Sequence, residues 1–153
     1  MKKILLFLSS AAALVSMTGC GISLFPEETV GFSSLNSLLK DKGYDVDEIT
    51  SSTALKSMEV TINAALTEDD HVNLDGYLKA TRYDSETYTV IVGFVYSFST
   101  DTEAKLVEEA DILKLSDLTD GYVENEYSLA YENMLVLYSK ATFLDDMGIA
   151  PLD

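Results

Sequence analysis

The 153-residue chain has one cysteine, one histidine, two prolines and no tryptophan, and its ten lysines and arginines face 26 aspartates and glutamates. Each scarcity closes off some chemistry. One cysteine forms no intrachain disulfide, so a folded domain here is held together by packing. One histidine means that any Ser-His-Asp or Cys-His mechanism must pass through His71. No G-x-S-x-G stretch presents a serine to it. The sequence also has no P-loop, Rossmann fingerprint or C-x-x-C pair. A formal net charge of −16 argues against a nucleic-acid partner, whose phosphates require a cationic surface. The expectation is a protein that is not an enzyme and carries no cofactor.

Hydrophobic residues are unevenly placed. Lys2 and Lys3 precede residues 4–15, which carry no charge and only Ser9 and Ser10 as polar side chains. That run is about twelve residues, whereas a helix crossing a bilayer needs roughly twenty. It has the length of a signal-peptide core. The lone Cys20 follows directly, in Met17-Thr18-Gly19-Cys20. An apolar residue, two small ones and a cysteine behind such a run resemble the lipobox of bacterial lipoproteins. The resemblance implies cleavage after Gly19 and a diacylglyceryl group on the Cys20 sulfur. It also implies an extracytoplasmic protein held by that lipid at the cell membrane, or at the outer membrane where the cell has one. Two acyl chains make a stable anchor where one binds reversibly, each buried methylene contributing about 0.8 kcal/mol. An ordinary secretory leader cut near Ala11-Ala12-Ala13 would instead leave Cys20 a free thiol.

Three segments follow: a signal peptide over 1–19, the lipidated cysteine and a tether over 20–31, and an acidic domain over 32–153. The ten bases less Lys2 and Lys3, set against 26 acids, give the mature chain −18. Such a charge favours solubility of an exposed domain and repulsion from an anionic lipid surface. The tether, with Pro26 and two glutamates, reaches at most about 35 Å when extended.

Within the domain, Leu35, Leu38 and Leu39 have helical spacing, with Ser33 or Ser34 as N-cap and Gly43 just past the end. Residues 53–66 fit two patterns. Leu55, Met58, Ile62 and Leu66 form a helical stripe, while Met58, Val60, Ile62, Ala64 and Leu66 alternate as in a strand. Ser51 or Ser52 as a cap and the Ala64-Ala65 pair tilt the reading to helix. Residues 76–83 and 87–99 read as a β-hairpin around Asp84-Ser85-Glu86. In the second strand Val90, Val92, Phe94, Tyr96 and Phe98 line one face and Ile91 and Val95 the other, which predicts a central strand covered on both sides. Thr100 and Glu103 have capping-box spacing ahead of a helix with Leu106, Val107, Ala110 and Leu113 on one side. One further strand is expected over 128–139, and a last turn over 143–147 ending at Gly148. The class predicted is α+β, a small antiparallel sheet with helices packed on it, in one domain.

Few residues offer a site. His71, among Glu68, Asp69 and Asp70, reads as part of a polar loop. From His71 onward, Asn73, Asp75 and Gly76 occupy the third, fifth and sixth positions of an EF-hand loop, but His71 and Arg82 fall where aspartate and glutamate are needed. A looser cation site of Asp69, Asp70, Asn73 and Asp75 remains as one expectation, and a plain Asp-Gly turn as the other. Asp120-Gly121 is a second such turn. Acidic pairs such as Glu108/Glu109, Glu124/Glu126 and Asp145/Asp146 arise freely in so acidic a chain. An envelope hydrolase would need two of its carboxyls across a cleft. Tyr83, Tyr88, Tyr122, Tyr127 and Tyr131 make a candidate interaction face, although strand propensity also favours tyrosine. The functional expectation is a membrane-anchored lipoprotein that binds a protein or envelope component through a sheet edge or these tyrosines, with a cation-binding module and a hydrolase as alternatives.

Overall fold

The computed structural model describes residues 30–121, 123 and 125–149. Helix α1 (Phe32–Asp41) leads into strand β1 (Asp45–Ile49), helix α2 (Ser52–Ala65) and the long hairpin of β2 (Leu74–Asp84) and β3 (Thr89–Phe98). Helix α3 (Asp101–Ala110) and the single turn α4 (Leu115–Leu118) precede β4 (Tyr127–Tyr131), β5 (Met134–Tyr138) and α5 (Thr142–Met147). The strands form one sheet in the order β1-β2-β3-β5-β4, with every neighbouring pair antiparallel. The fold is α+β, as the pattern of helices and hairpins predicts.

Strand β3 lies at the centre of the sheet, and from Ile91 to Phe98 every side of it is buried. Its alternation divides the core in two. Ile91 and Val95 join Leu35, Leu39, Leu78, Val136 and Phe143 on the face covered by α1 and α5. Val92, Phe94, Tyr96 and Phe98 join Ile62, Ala104, Val107, Leu115 and Leu135 beneath α2, α3 and α4. Burial of apolar surface on both faces explains why the strand reads as a nearly continuous hydrophobic run.

Two glycines let aromatic rings lie on the sheet. A β-carbon at Gly93 would come within 2.0 Å of the Phe143 ring, and one at Gly76 within 2.3 Å of the Phe32 ring. Gly76 also follows an irregularity, since two steps along β2 from Leu74 match one step along β3 from Phe98 to Ser97. This β-bulge turns the strand over, leaving Leu74 in the α2–α3 core while Leu78 and Ala80 face α1. Asp75-Gly76 is therefore part of a strand and not a turn, because Phe32 needs the bare backbone there.

Local signals set most boundaries. The N–H of Tyr44 bonds the Leu39 carbonyl and that of Gly43 the Lys40 carbonyl, with Gly43 left-handed at φ 84°, which closes α1 in a Schellman motif. Residues 52–65 are helical, and the Ser51 hydroxyl accepts from the Ala54 N–H at 3.5 Å. At α3 both capping-box bonds form, Glu103 N–H to Thr100 Oγ1 at 3.2 Å and Thr100 N–H to Glu103 Oε2 at 3.1 Å. Asp120 and Gly121 make the second turn, both left-handed.

Three further expectations are corrected. The N-cap of α1 is Gly31 rather than Ser33 or Ser34, and Ser34 donates its hydroxyl back to the Gly31 carbonyl at 2.8 Å. Docking of Phe32 on Gly76 draws the helix start forward. In α3, Ala104 and Val107 are the buried residues; Ala110 is exposed and Leu113 lies beyond the helix end. The expected single strand over 128–139 is two strands, β4 and β5, folded about Glu132-Asn133. Glu132 takes a left-handed φ of 52°, and the Asn133 side chain donates to the Phe98 carbonyl at 2.6 Å, pinning the turn to β3.

Candidate functional site

The edges of a sheet offer unpaired backbone groups to other chains. Here both edges are guarded. Strand β1 carries Asp45, Asp47 and Glu48. At the other edge, Glu108 of α3 accepts from the Ala130 N–H of β4 at 3.0 Å, occupying a donor that an added strand would use. Exposed aromatic residues lie instead at one end of the sheet, around the tip of the β2–β3 hairpin.

That tip is tightly built. The Asp84 carboxylate accepts from the backbone N–H groups of Glu86 and Thr87 at 3.0 and 3.4 Å, and Lys140 reaches it at 3.3 Å from the far end of β5. Lys140 also donates to Thr87 Oγ1 at 2.6 Å. The Thr87 hydroxyl, with the Glu86 N–H and Lys140, pushes the Asp84 carboxyl down to about 2 against the opposing effect of burial. The following residue, Tyr88, has φ 55°, a strained conformation for a tyrosine, and is 80% exposed. Ser139 continues the β5 ladder with its side chain: its hydroxyl accepts from the Val92 N–H at 2.9 Å while its own N–H bonds the Val92 carbonyl.

Around this scaffold Tyr83, Tyr88, Val90 and Tyr127 gather, while the exposed Val60 of α2 and Leu118 of α4 stand apart from them. Tyr83 pairs with Val90 across the hairpin, and the two are 61% and 42% exposed. Tyr127, 51% exposed, pairs with Tyr138 across β4–β5 and stacks on it with ring centroids 5.4 Å apart. Two adjoining pockets, one on each face of the sheet, make a groove around the end of β5: Tyr88, Val90 and Val123 line the one on the α2–α3 face and Tyr127, Tyr138 and Thr142 the one on the α1–α5 face. Asn125, Ser139 and Lys140 are common to both pockets.

Of the tyrosines expected to form an interaction face, Tyr83, Tyr88 and Tyr127 come to this end of the sheet. Tyr131 is half-buried against the α1–α5 core at the opposite end of β4. Tyr122 lies outside the described residues, as does Cys20. Tyr138, Val90 and Lys140 were not anticipated. Tyr138 continues the inward alternation of Met134 and Val136, and nothing in the sequence shows that Tyr127 will stack on it.

Comparison with known proteins yields no family model that matches this chain, and no curated protein or solved structure that matches it.

The other expected residues are dispersed. Asp70 accepts from the Thr67 hydroxyl at 2.6 Å, Asn73 donates to Glu103 at 2.9 Å, and Asp75 accepts from the Ser99 hydroxyl at 2.9 Å. Asp69 and His71 are exposed on the same loop. Among the described residues no three acidic, histidine or cysteine side chains converge as a metal site would require. A partly buried polar cluster serves packing. Tyr44 donates to Asp146 at 2.8 Å, Arg82 bridges Asp146 at 3.0 Å, and the guanidinium carbon stands 4.6 Å from the centre of the Tyr44 ring. Burial, then the bond to Asp146, drives the Tyr44 phenol well above its ordinary range, so it stays protonated. Glu59, buried on α2, accepts from the Leu74 N–H at 3.1 Å and pairs with Lys56, which holds its carboxyl below the usual range.

Proposed function

We propose that this chain is a lipid-anchored extracytoplasmic binding protein with a non-catalytic role, docking a protein or envelope component against the tyrosine-bearing end of its sheet. The observation that carries the reading is the gathering of Tyr83, Tyr88, Val90 and Tyr127 at that one end, all substantially exposed. Clustered exposed aromatic residues are a common mark of interaction surfaces. The guarded sheet edges favour this end over strand addition.

The direction of the fold supports the same reading. The Phe32 ring lies on Gly76, near the start of β2, and Val30 just before it packs beside Gly148. The hairpin tip is at the other end of β2. From Gly76 to Asp84 the strand covers about 26 Å at roughly 3.3 Å per residue. The chain thus enters the described domain at one end of the sheet and the exposed tyrosines stand at the other, which would suit their presentation away from an anchoring bilayer. No helix among the described residues is long and apolar enough to cross a membrane.

Mass spectrometry of the protein isolated from its own membranes tests the anchor. The expected N-terminal peptide begins at Cys20 with diacylglyceryl mass, and Cys20→Ala releases the protein from the membrane. An unmodified Cys20 within a chain that begins upstream of it would contradict the reading.

A further inference from the structure

We infer that the partner chemistry at the tyrosine-bearing end is cationic: the groove over the end of β5 receives a basic polypeptide segment whose arginine or lysine side chains lie against Tyr88 and Tyr127. The inference rests on the docking role proposed above and names its partner.

Charge complementarity is the first support. The chain carries 26 acids against ten bases, and the rim follows the whole. Glu86 stands at the hairpin tip and Asp145 lies one turn beyond Thr142, both exposed. Among the described residues the one charged side chain lining the groove is Lys140. It is engaged by Asp84 and Thr87, so its charge is matched inside the protein. An incoming cation meets neutral aromatic walls and an acidic rim.

The walls suit the same ligand. Tyrosine faces attract guanidinium and ammonium groups within about 6 Å of the ring centre, and the protein uses this contact internally where Arg82 lies over Tyr44. Tyr88 and Tyr127 have open faces of that kind, with no arginine or lysine of this chain over either among the described residues. Tyr88 is also held in a left-handed conformation that costs a non-glycine residue on the order of 1 kcal/mol or more, although so exposed a ring recovers little of that by packing within the fold. A second copy of the chain, bringing the same negative charge, fits this end poorly.

The test is fluorescence anisotropy of a labelled nona-arginine peptide titrated with the full lipidated chain in detergent micelles. Tyr88→Ala combined with Tyr127→Ala, which removes no charge, is expected to weaken binding at least tenfold. Glu68→Gln combined with Asp69→Asn removes two charges from the loop at the opposite end of β2 and is expected to leave the affinity within twofold. Circular dichroism of both variants establishes that they are folded. If the tyrosine variant binds as tightly as the parent, the peptide is held by diffuse charge and the inference is overturned. A parallel titration uses the neutral oligosaccharide chitohexaose. Saturable binding that the tyrosine variant loses would overturn the basic partner while leaving the docking role standing.

Discussion

Gly93 is the residue whose role is least visible from its neighbours in sequence and most visible in the fold. The Phe143 ring fills the space where its side chain would be, and Phe143 is fully buried. Gly93→Ala should therefore cost about 1–3 kcal/mol or more, the usual range for overpacking. Gly76→Ala should cost less, because Phe32 is half-buried at a helix start and can swing outward. Urea unfolding midpoints distinguish the two, and a neutral Gly93→Ala would show that α5 does not pack as described. Two carboxylates set the response to acid. Asp84 and Glu59 both have folded-state pKa values below the ordinary 3.8 and 4.5, so each stabilises the native state above those values and loses its contribution as pH falls through the lower folded value. For Asp84 the loss runs from about pH 4 down to about 2. Asp84→Asn should flatten the dependence of unfolding free energy on pH across that interval; an unchanged slope would show that the bonds to Thr87 and Lys140 do not persist in solution. At this scale the sequence was partly legible. Exposed Tyr83, Tyr88 and Tyr127 were among the five tyrosines expected to matter. The half-burial of Tyr131 was not readable, because it depends on which end of β4 meets the core.

Elements announced by local chemistry were legible, and those fixed by long-range contact were not. Thr100 and Glu103 identify the start of α3 without any tertiary information, and both bonds of the capping box form. Thr100→Ala should cost about 1 kcal/mol and Thr100→Ser little, the normal behaviour of an N-cap; thermal unfolding of the two variants gives the comparison, and equal losses would locate the effect in the threonine methyl group instead. The apolar run of β3 likewise announced a strand covered on both faces. Residues 53–66 satisfied helix and strand periodicities together, and the helical state of 52–65 is supported by the Ser51 cap and by burial of Ile62 under the sheet. The β4–β5 hairpin escaped because Glu132-Asn133 lacks a glycine, the usual sign of a two-residue turn. What holds it is the Asn133 bond to Phe98, a contact 35 residues distant in sequence. The start of α1 escaped for a related reason, since Ser33 and Ser34 have the chemistry of caps but Phe32 has a glycine to lie on.

At the scale of the whole molecule, polarity is the organising property. One end of the sheet takes the chain that leads toward Cys20, and the other gathers the exposed tyrosines. The acidic surface between them disfavours contact with anionic lipid and with further copies of the same protein. This arrangement suits a domain held close to a bilayer while it presents one end to a partner. The charge was open to reading in the sequence, but the polarity follows from the sheet order and from Phe32 seating on Gly76, neither of which is a local property. The most direct test is site-resolved photo-crosslinking in intact cells, comparing a photoreactive side chain at position 88 with one at the exposed position 61 of α2. A discrete adduct from position 88 that disappears in the Tyr127→Ala background, with none from position 61, is the expected result. Adducts that form equally from both positions, or from position 61 alone, would contradict a docking surface at the tyrosine-bearing end.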